Sequence, residues 1–366
     1  MKALFTNMRR LFDEGMAFVL CAIVDSSGST PRGAGALMLA SQEGRVWGSI
    51  GGAEAEYLAL ENAKTLISQK RGFSLEKFIL NAVNGDTGMP QSQTLLTAHP
   101  SFLPAVCGGE ILVFSRCIDS ASPGLLDFIE KGMRCFSENE NTWLSMEIAA
   151  NGENNSTIDR SLSLCLLQKS GALACMGTAP PNAAEMLATG PGCFQMDNNT
   201  WFSMPLCQDG FVYVFGGGHV AQELVPLLSR LDFRVIVFDD RKEFTRQELF
   251  PDAVKIITGN FSCIGDNLEL SAHDYAVIVT RGHSWDFQAE SFALKSSAAY
   301  IGVIGSKSKH AHIEGHLLSA GFSGEEIHAP RVHAPIGIAI GSKTPAEVAV
   351  SIAAELIYVR AVLAKD

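Results

Sequence analysis

VFGGGHVAQEL, residues 214–224, decides how the rest of the chain is read. A run of β-formers enters three consecutive glycines, and the chain leaves as an amphipathic helix. Gly216, Gly218 and Ala221 satisfy the G-x-G-x-x-G/A spacing of a Rossmann phosphate turn. The first glycine permits the tight turn, the second lets a phosphate approach the backbone, and the small third residue lets helix and strand pack. Asp239 and Asp240 end the next strand, about twenty residues on, where an acid binds a ribose hydroxyl. The bland alternative is a strand–helix turn that keeps its glycines for packing alone. His219, inside the turn, is unusual for a plain NAD site.

Downstream of this turn, strands predicted at 211–216, 233–239, 254–258, 274–280 and 300–304 alternate with helices. That alternation favours a Rossmann-like parallel sheet with helices on both faces. TRGHSWD (280–286) follows the fourth strand and GSKSK (305–309) the fifth, so both fall at carboxyl ends of strands, where open α/β sheets bind ligands. Arg281 and His283 supply a fixed cation and a titratable imidazole. Ser306 and Lys307, beside a glycine, make a candidate anion nest. His312 and His316, four apart, read as a solvated helix face. Thr344, Pro345 and Glu347 form a capping box that starts the last helix.

Upstream, residues 17–25 read as a buried strand, 26–35 as a Gly/Ser/Pro loop, 36–40 as a second strand and VWGSI as a third. A helix follows over 51–70 with Tyr57, Leu58, Leu60 and Leu66 as candidate core residues. CGGEILVF (107–114) places a small-residue turn before another strand. Residues 119–207 read as a β-rich extension, with a boundary at CQDG. The domains expected are therefore 1–207, an α/β domain carrying that extension, and 208–366. In the first, Gly51 and Gly52 precede a helix whose free N–H groups suit an anion. Glu56 is either a hydrogen-bond acceptor there or an acid favoured by the helix dipole. Ser29, Thr30 and Arg32 stand in a flexible loop, and Cys107 is an accessible-looking thiol.

Composition sets the outer limits. The chain has 366 residues, 47% hydrophobic and 18% charged, with a net charge of −11. That balance argues against nucleic acid as a partner, which needs concentrated Lys and Arg. No apolar run reaches the roughly 18 residues of a membrane helix, and acidic Asp13 and Glu14 interrupt the start before a leader's apolar core. Nine cysteines without C-x-x-C spacing read as reduced thiols, hence a cytoplasmic protein.

Together these segments resemble the XdhC/CoxI family of molybdoenzyme accessory proteins. The resemblance rests on GSTPRGAGALML, GSIGG…E and CGGEILVF, then on VFGGGHVAQEL, FDDR, TRGHSWD, YIGVIGSKSK and HAPIGIAIGSKTPAEVAVSIAAELI. It covers roughly residues 15–115 and 205–360. It implies an XdhC-type amino-terminal domain joined to a Rossmann domain. It further implies binding of the molybdenum cofactor (molybdopterin, or its dinucleotide form), support of sulfuration by a cysteine desulfurase, and insertion into a xanthine dehydrogenase-like molybdenum hydroxylase. On this reading the glycine turn serves the phosphate or nucleotide end of a cargo, and the chain is a maturation factor or chaperone rather than a catalyst. Family members often carry a further glycine or Gly-Cys after the glycine pair. Here Ala53 and Glu54 stand there, so Cys107 becomes the leading thiol candidate toward the molybdenum. Two alternatives stay open: an NAD(P)-dependent oxidoreductase with His283 as acid/base, and a non-catalytic nucleotide sensor. A homodimer is the default assembly.

Overall fold

The computed structural model describes residues 1–80, 108–150, 162–208, 210–281 and 283–363. Cys107 and Gly282 lie outside them. The chain divides into two compact units, Met1–Gln208 and Asp209–Asp366.

The first unit runs α1 (Lys2–Asp13), β1 (Phe18–Ser27), β2 (Leu37–Ser41), β3 (Gly44–Gly48), α2 (Ala53–Ser68), β4 (Phe73–Ile79), β5 (Glu110–Ile118), α3 (Leu125–Arg134), β6 (Thr142–Ala150), β7 (Leu164–Gln168), β8 (Gly171–Met176), β9 (Gly192–Met196) and β10 (Asn199–Cys207). Two antiparallel sheets result, ordered β3-β2-β1-β5-β4 and β8-β7-β6-β10-β9. β1 is apolar and buried from Phe18 to Val24 because both its faces are covered there. Val19, Cys21 and Ile23 pack toward α2, whereas Leu20, Ala22 and Val24 share a core with Leu144, Leu164 and Phe202 of the second sheet. The expected β-rich extension is thus a second layer laid on the first.

The buried stripe of α2 keeps Leu66 of the expected core positions and otherwise differs. Ala55, Ala59, Ala63 and Leu66 are buried, while Tyr57, Leu58 and Leu60 sit at the margin. Small side chains let this helix lie close on the sheet. β4 (FSLEKFI) and β9 (GCFQM) are additions to the expected strands, and each completes a sheet edge. Against the expectation of uniformly reduced thiols, Cys165 and Cys175 oppose each other in the β7–β8 register and are paired as a disulfide.

The second unit runs β11 (Val212–Phe215), α4 (His219–Arg230), β12 (Val235–Asp239), β13 (Lys255–Thr258), β14 (Tyr275–Ile278), α5 (His283–Lys295), β15 (Tyr300–Val303), α6 (Lys307–Ser319), α7 (Gly324–Ile327), β16 (Val332–His333) and α8 (Pro345–Leu363). Its six parallel strands are ordered β13-β12-β11-β14-β15-β16. Alternate residues of β11 face opposite layers. Val212 and Val214 join Leu224, Leu228, Ile352 and Leu356 of α4 and α8, and Tyr213 and Phe215 join Ala289, Ala293, Ile313 and Leu317 of α5 and α6. All five predicted strands are present, shortened at their ends. The two-residue β16 is an addition too brief to carry a pattern. α8 begins at the capping box read from sequence: the Thr344 Oγ1 accepts from the Glu347 N–H at 3.2 Å, and Glu347 accepts from the Thr344 N–H at 3.0 Å. Among the described residues no helix is long and apolar enough to cross a membrane.

Candidate functional site

The strand order reverses between β11 and β14, and at such a switch point the crevice beyond the carboxyl ends of the strands is the ligand position. Gly216 follows β11 there, and Thr280 closely follows β14. The three glycines of the turn are required for different reasons. Gly216 has φ +109°, and a Cβ on it would stand 2.6 Å from the Val279 carbonyl oxygen. A Cβ on Gly217 would collide with the Phe244 carbonyl oxygen. Gly218 is unlike both. Its backbone is extended (φ −72°, ψ −171°), which any residue adopts, and nothing lies within 4 Å of where its Cβ would be. Packing therefore does not explain this glycine. It leaves an open approach to the backbone at the start of α4, a helix that begins with no side-chain cap. The first N–H groups of such a helix lack intrahelical partners and carry the positive end of its dipole. Ala221 is fully buried, as its packing role requires. His219 is exposed as the first residue of α4.

The two aspartates divide the work. Asp239 is 1% exposed and turns inward. One of its oxygens accepts from the Gly217 N–H at 2.7 Å and the other from the Arg241 N–H at 2.9 Å. The Arg241 guanidinium then donates to both oxygens, each at 2.8 Å. Burial alone would raise this carboxyl, but the guanidinium and the N–H donors outweigh it and hold it below the ordinary aspartate value. Asp239 is thus the clamp of the turn. Asp240 is the acid left facing outward. With Thr258, Gly259, Asn260 and Trp285 it lines a cavity of about 300 Å³ at the ends of β12 and β13. Burial, and then the neighbouring Asp239, raise the Asp240 carboxyl.

The loops after β14 and β15 are tied together by a buried cluster that the sequence reading missed. Asp286, fully buried, accepts from the Thr280 hydroxyl at 2.6 Å and ion-pairs with Lys309. Lys309 also donates to the Ile304 carbonyl at 3.3 Å. Glu290 lies one turn further along α5 and is 3% exposed. Burial and the charge of Asp286, opposed by Lys309, push its carboxyl up to about 7. Burial lowers the neighbouring His310. The i, i+4 carboxylates of α5 were the available signal, but spacing alone does not distinguish them from a solvated face. Among the candidates proposed from sequence, Ser306 caps α6, its hydroxyl accepting from the Lys309 N–H at 3.3 Å. Arg281 is exposed. His283 and Lys307 open α5 and α6, their side chains lying outside the described residues. His312 and His316 stand on the exposed face of α6, and no group of three metal-binding side chains occurs among the described residues.

In the first unit the three sequence motifs converge. Gly109 has no room for a side chain because Ser27 O, Ser29 O and Thr30 lie 2.5–2.7 Å from its would-be Cβ. Gly51 faces Pro31 and Arg32 at 3.4 and 3.7 Å by the same measure. The loop 26–35 thus spans from the start of β5 to the GSIGG turn. That turn, however, is filled by the chain itself. Glu56 accepts from the Ser49 hydroxyl at 2.6 Å and from the Gly52 N–H at 3.1 Å, and it pairs with Arg45 at 3.3 Å. Arg32 is exposed beside it.

Fold and site define a class: a β-rich unit joined to a doubly wound α/β unit with an open glycine turn at its switch point. The chain matches the model of the XdhC Rossmann domain over residues 212–356 and that of the XdhC and CoxI family over residues 11–78. It belongs to the XdhC and CoxI family. It is 31% identical over 148 residues to a probable xanthine dehydrogenase subunit of Bacillus subtilis (strain 168), a match covering 40% of this chain and 42% of that protein. It is 28% identical over 148 residues to the uncharacterized protein YqeB of Escherichia coli (strain K12), covering 40% of this chain and 27% of that protein. The match therefore spans less than half the length of either relative. A crystal structure of a xanthine dehydrogenase from Bacillus halodurans shares the fold, with a TM-score of 0.72, 20% identity, and coverage of 97% of this chain and 95% of that one.

Proposed function

We propose that this protein is an accessory carrier that binds the molybdenum cofactor, holds it while a cysteine desulfurase supplies sulfur, and passes it to a xanthine dehydrogenase-type hydroxylase. The observation that carries this reading, given the family, is Gly218. A backbone that needs no glycine for its conformation or its packing keeps one where a ligand phosphate meets the first N–H groups of α4. The residues present fit the phosphate end of a pterin cargo. The α4 N-terminus receives the anion, Asp239 and Arg241 hold the turn in shape, and the Asp286–Lys309 pair fixes the flanking loops. When bound, the cofactor supplies molybdenum–sulfur chemistry, for which a soft thiol such as Cys107 is the ligand suggested by sequence.

The reading is tested by transfer. A cofactor-free client hydroxylase, cofactor and desulfurase are combined with and without this chain, and client activity is followed. Activation that depends on the chain, and that fails with Gly218→Asp, supports the proposal. Equal activation without the chain overturns it. A homodimeric carrier is expected in sedimentation.

One observation favours a second reading, an NAD(P)-dependent oxidoreductase: the cavity at Asp240 stands where a dinucleotide's ribose would lie. That reading requires a substrate-dependent change in nicotinamide absorbance from the purified protein.

A further inference from the structure

α6 buries Ile313 and Leu317 in the core it shares with β11 and α5, and this fixes the direction of its other side chains. Residues four apart stand one above the other on a helix, and His312 and His316 occupy the exposed face beside the buried stripe. Spacing alone predicts two solvated imidazoles. The rings are instead turned toward one another. Their Nε2 atoms lie 3.3 Å apart, and the rings meet edge to face, with centroids 4.8 Å apart and planes inclined by 77°. The His316 ring also meets Phe287 of α5 at 6.1 Å between centroids, so a second helix helps to set its position.

The separation carries chemical information. At 3.3 Å a hydrogen bond between the two rings is a weak one. Two imidazole nitrogens bound to one zinc ion at about 2.0–2.1 Å and a tetrahedral angle stand about 3.3 Å apart. Around a square-planar ion, with the same bonds at a right angle, they would stand about 2.9 Å apart. The pair has the tetrahedral spacing. Glu314 lies between the two histidines in sequence but about 200° round the helix from His312. Its carboxylate is engaged by His328 at 3.0 Å. Among the described residues no third metal-binding side chain joins the pair. An ion held by two protein donors keeps coordination positions open, unlike the closed shell of a structural zinc site.

We propose that His312 and His316 form a two-histidine chelate for a zinc-type divalent cation, held exchangeably on the outer face of α6 with its remaining positions open to donors from solution. Each neutral ring gives its Nε2 lone pair to the ion while its proton stands on Nδ1. Magnesium, a hard ion that prefers oxygen ligands, is not held there. The proposal is independent of the carrier function, because neither histidine belongs to the glycine turn or to the loops that flank it.

The experiment is calorimetric titration of the full chain, freed of metal with a chelator and desalted, with zinc chloride and separately with magnesium chloride. The expected result is a zinc-binding event that raises the melting temperature as zinc concentration grows, with no matching heat from magnesium. His312→Ala and His316→Ala each remove one of two linked donors and should weaken that event about 100-fold. Both positions are exposed, so the metal-free melting temperatures should match that of the wild type. Phe287→Leu, which loosens the His316 ring without removing a donor, should give a smaller loss of about tenfold. His328→Ala, which touches only the Glu314 pair, should bind zinc as the wild type does. Zinc bound by cysteines would be common to all of these proteins, so the difference between them isolates the pair. Equal zinc binding by the wild type, His312→Ala and His316→Ala overturns the proposal, as does absence of zinc binding by the wild type. A loss in His328→Ala as large as in the pair also overturns it.

Discussion

Two glycine turns in this chain each open a helix, and they have opposite fates. GSIGG in the first unit and GGG in the second both present the N-terminus of a helix behind small residues. In the first, Glu56 reaches back over the helix start to accept from the Gly52 N–H and the Ser49 hydroxyl, so the chain supplies its own anion. In the second, the carboxylate of Asp239 grips the turn from below at the Gly217 N–H, and the space over Gly218 stays open. The lesson is physical. Glycine content shows that the backbone is bent, whereas the side chain that reaches the freed N–H groups determines whether an external anion has a place.

The contrast can be broken at its strongest point first. Replacing Asp239 with Ala leaves Arg241 without its main partner and the Gly217 N–H unsatisfied; a loss of about 3 kcal/mol is expected in denaturant unfolding. The same truncation at Glu56, whose partner Arg45 is half exposed, should cost about 1 kcal/mol. Equal losses would erase the distinction between clamp and plug.

Gly218→Asp is the complementary change. The extended backbone accepts aspartate, which is a good N-cap, so stability should hold within a few tenths of a kcal/mol. Its carboxylate would occupy the phosphate approach, and nucleotide binding should fall about 100-fold, roughly 2.7 kcal/mol. Thermal melting and titration on one preparation separate the two effects. Gly217→Ala should behave in reverse, losing stability against the Phe244 carbonyl.

The buried cluster behind the second turn gives a pH signature. Folded Glu290 takes up a proton near pH 7, whereas the unfolded chain does so at the ordinary glutamate value. The folded state therefore holds the extra proton between those limits, and stability falls as pH rises toward and through about 7. The effect is up to roughly 3 kcal/mol. Glu290→Gln, which keeps Asp286 and Lys309 paired, should flatten that slope in melts recorded from pH 5 to 8.

The smallest expected effect concerns Asp240. Burial and Asp239 raise its carboxyl, so nucleotide binding should weaken on acidification sooner than an unperturbed aspartate would dictate. Titrations from pH 7 down to 4.5 should show that loss in the wild type and not in Asp240→Asn.

Much of the second unit was legible because parallel strands buried on both faces leave unbroken apolar runs, such as FVYVF and VIVF. Its glycine turn and closing capping box follow local spacing rules, and the structure places both where spacing put them. The cavity was not legible. Thr258, Asn260 and Trp285 come together only because β13 lies beside β12 and α5 passes over their ends, a consequence of strand order rather than of any local pattern. The roles of Asp239 and Asp240 were likewise hidden, since adjacent residues of a strand end point opposite ways and only the fold shows which is inward. In the first unit, α2 misled because its contact stripe is built from alanines, whose burial reflects close packing rather than apolar bulk. The Cys165–Cys175 pair required the β7–β8 register to be seen.

We propose that the 216–218 turn holds the phosphate end of the molybdenum cofactor. The most direct measurement is the pterin and nucleotide content of the wild-type protein and of Gly218→Asp, both purified without oxygen from cells making that cofactor. Near-stoichiometric pterin in the wild type, and its loss from a fully folded Gly218→Asp, is the predicted result. Wild-type protein free of pterin, or a variant that keeps its full complement, would contradict it.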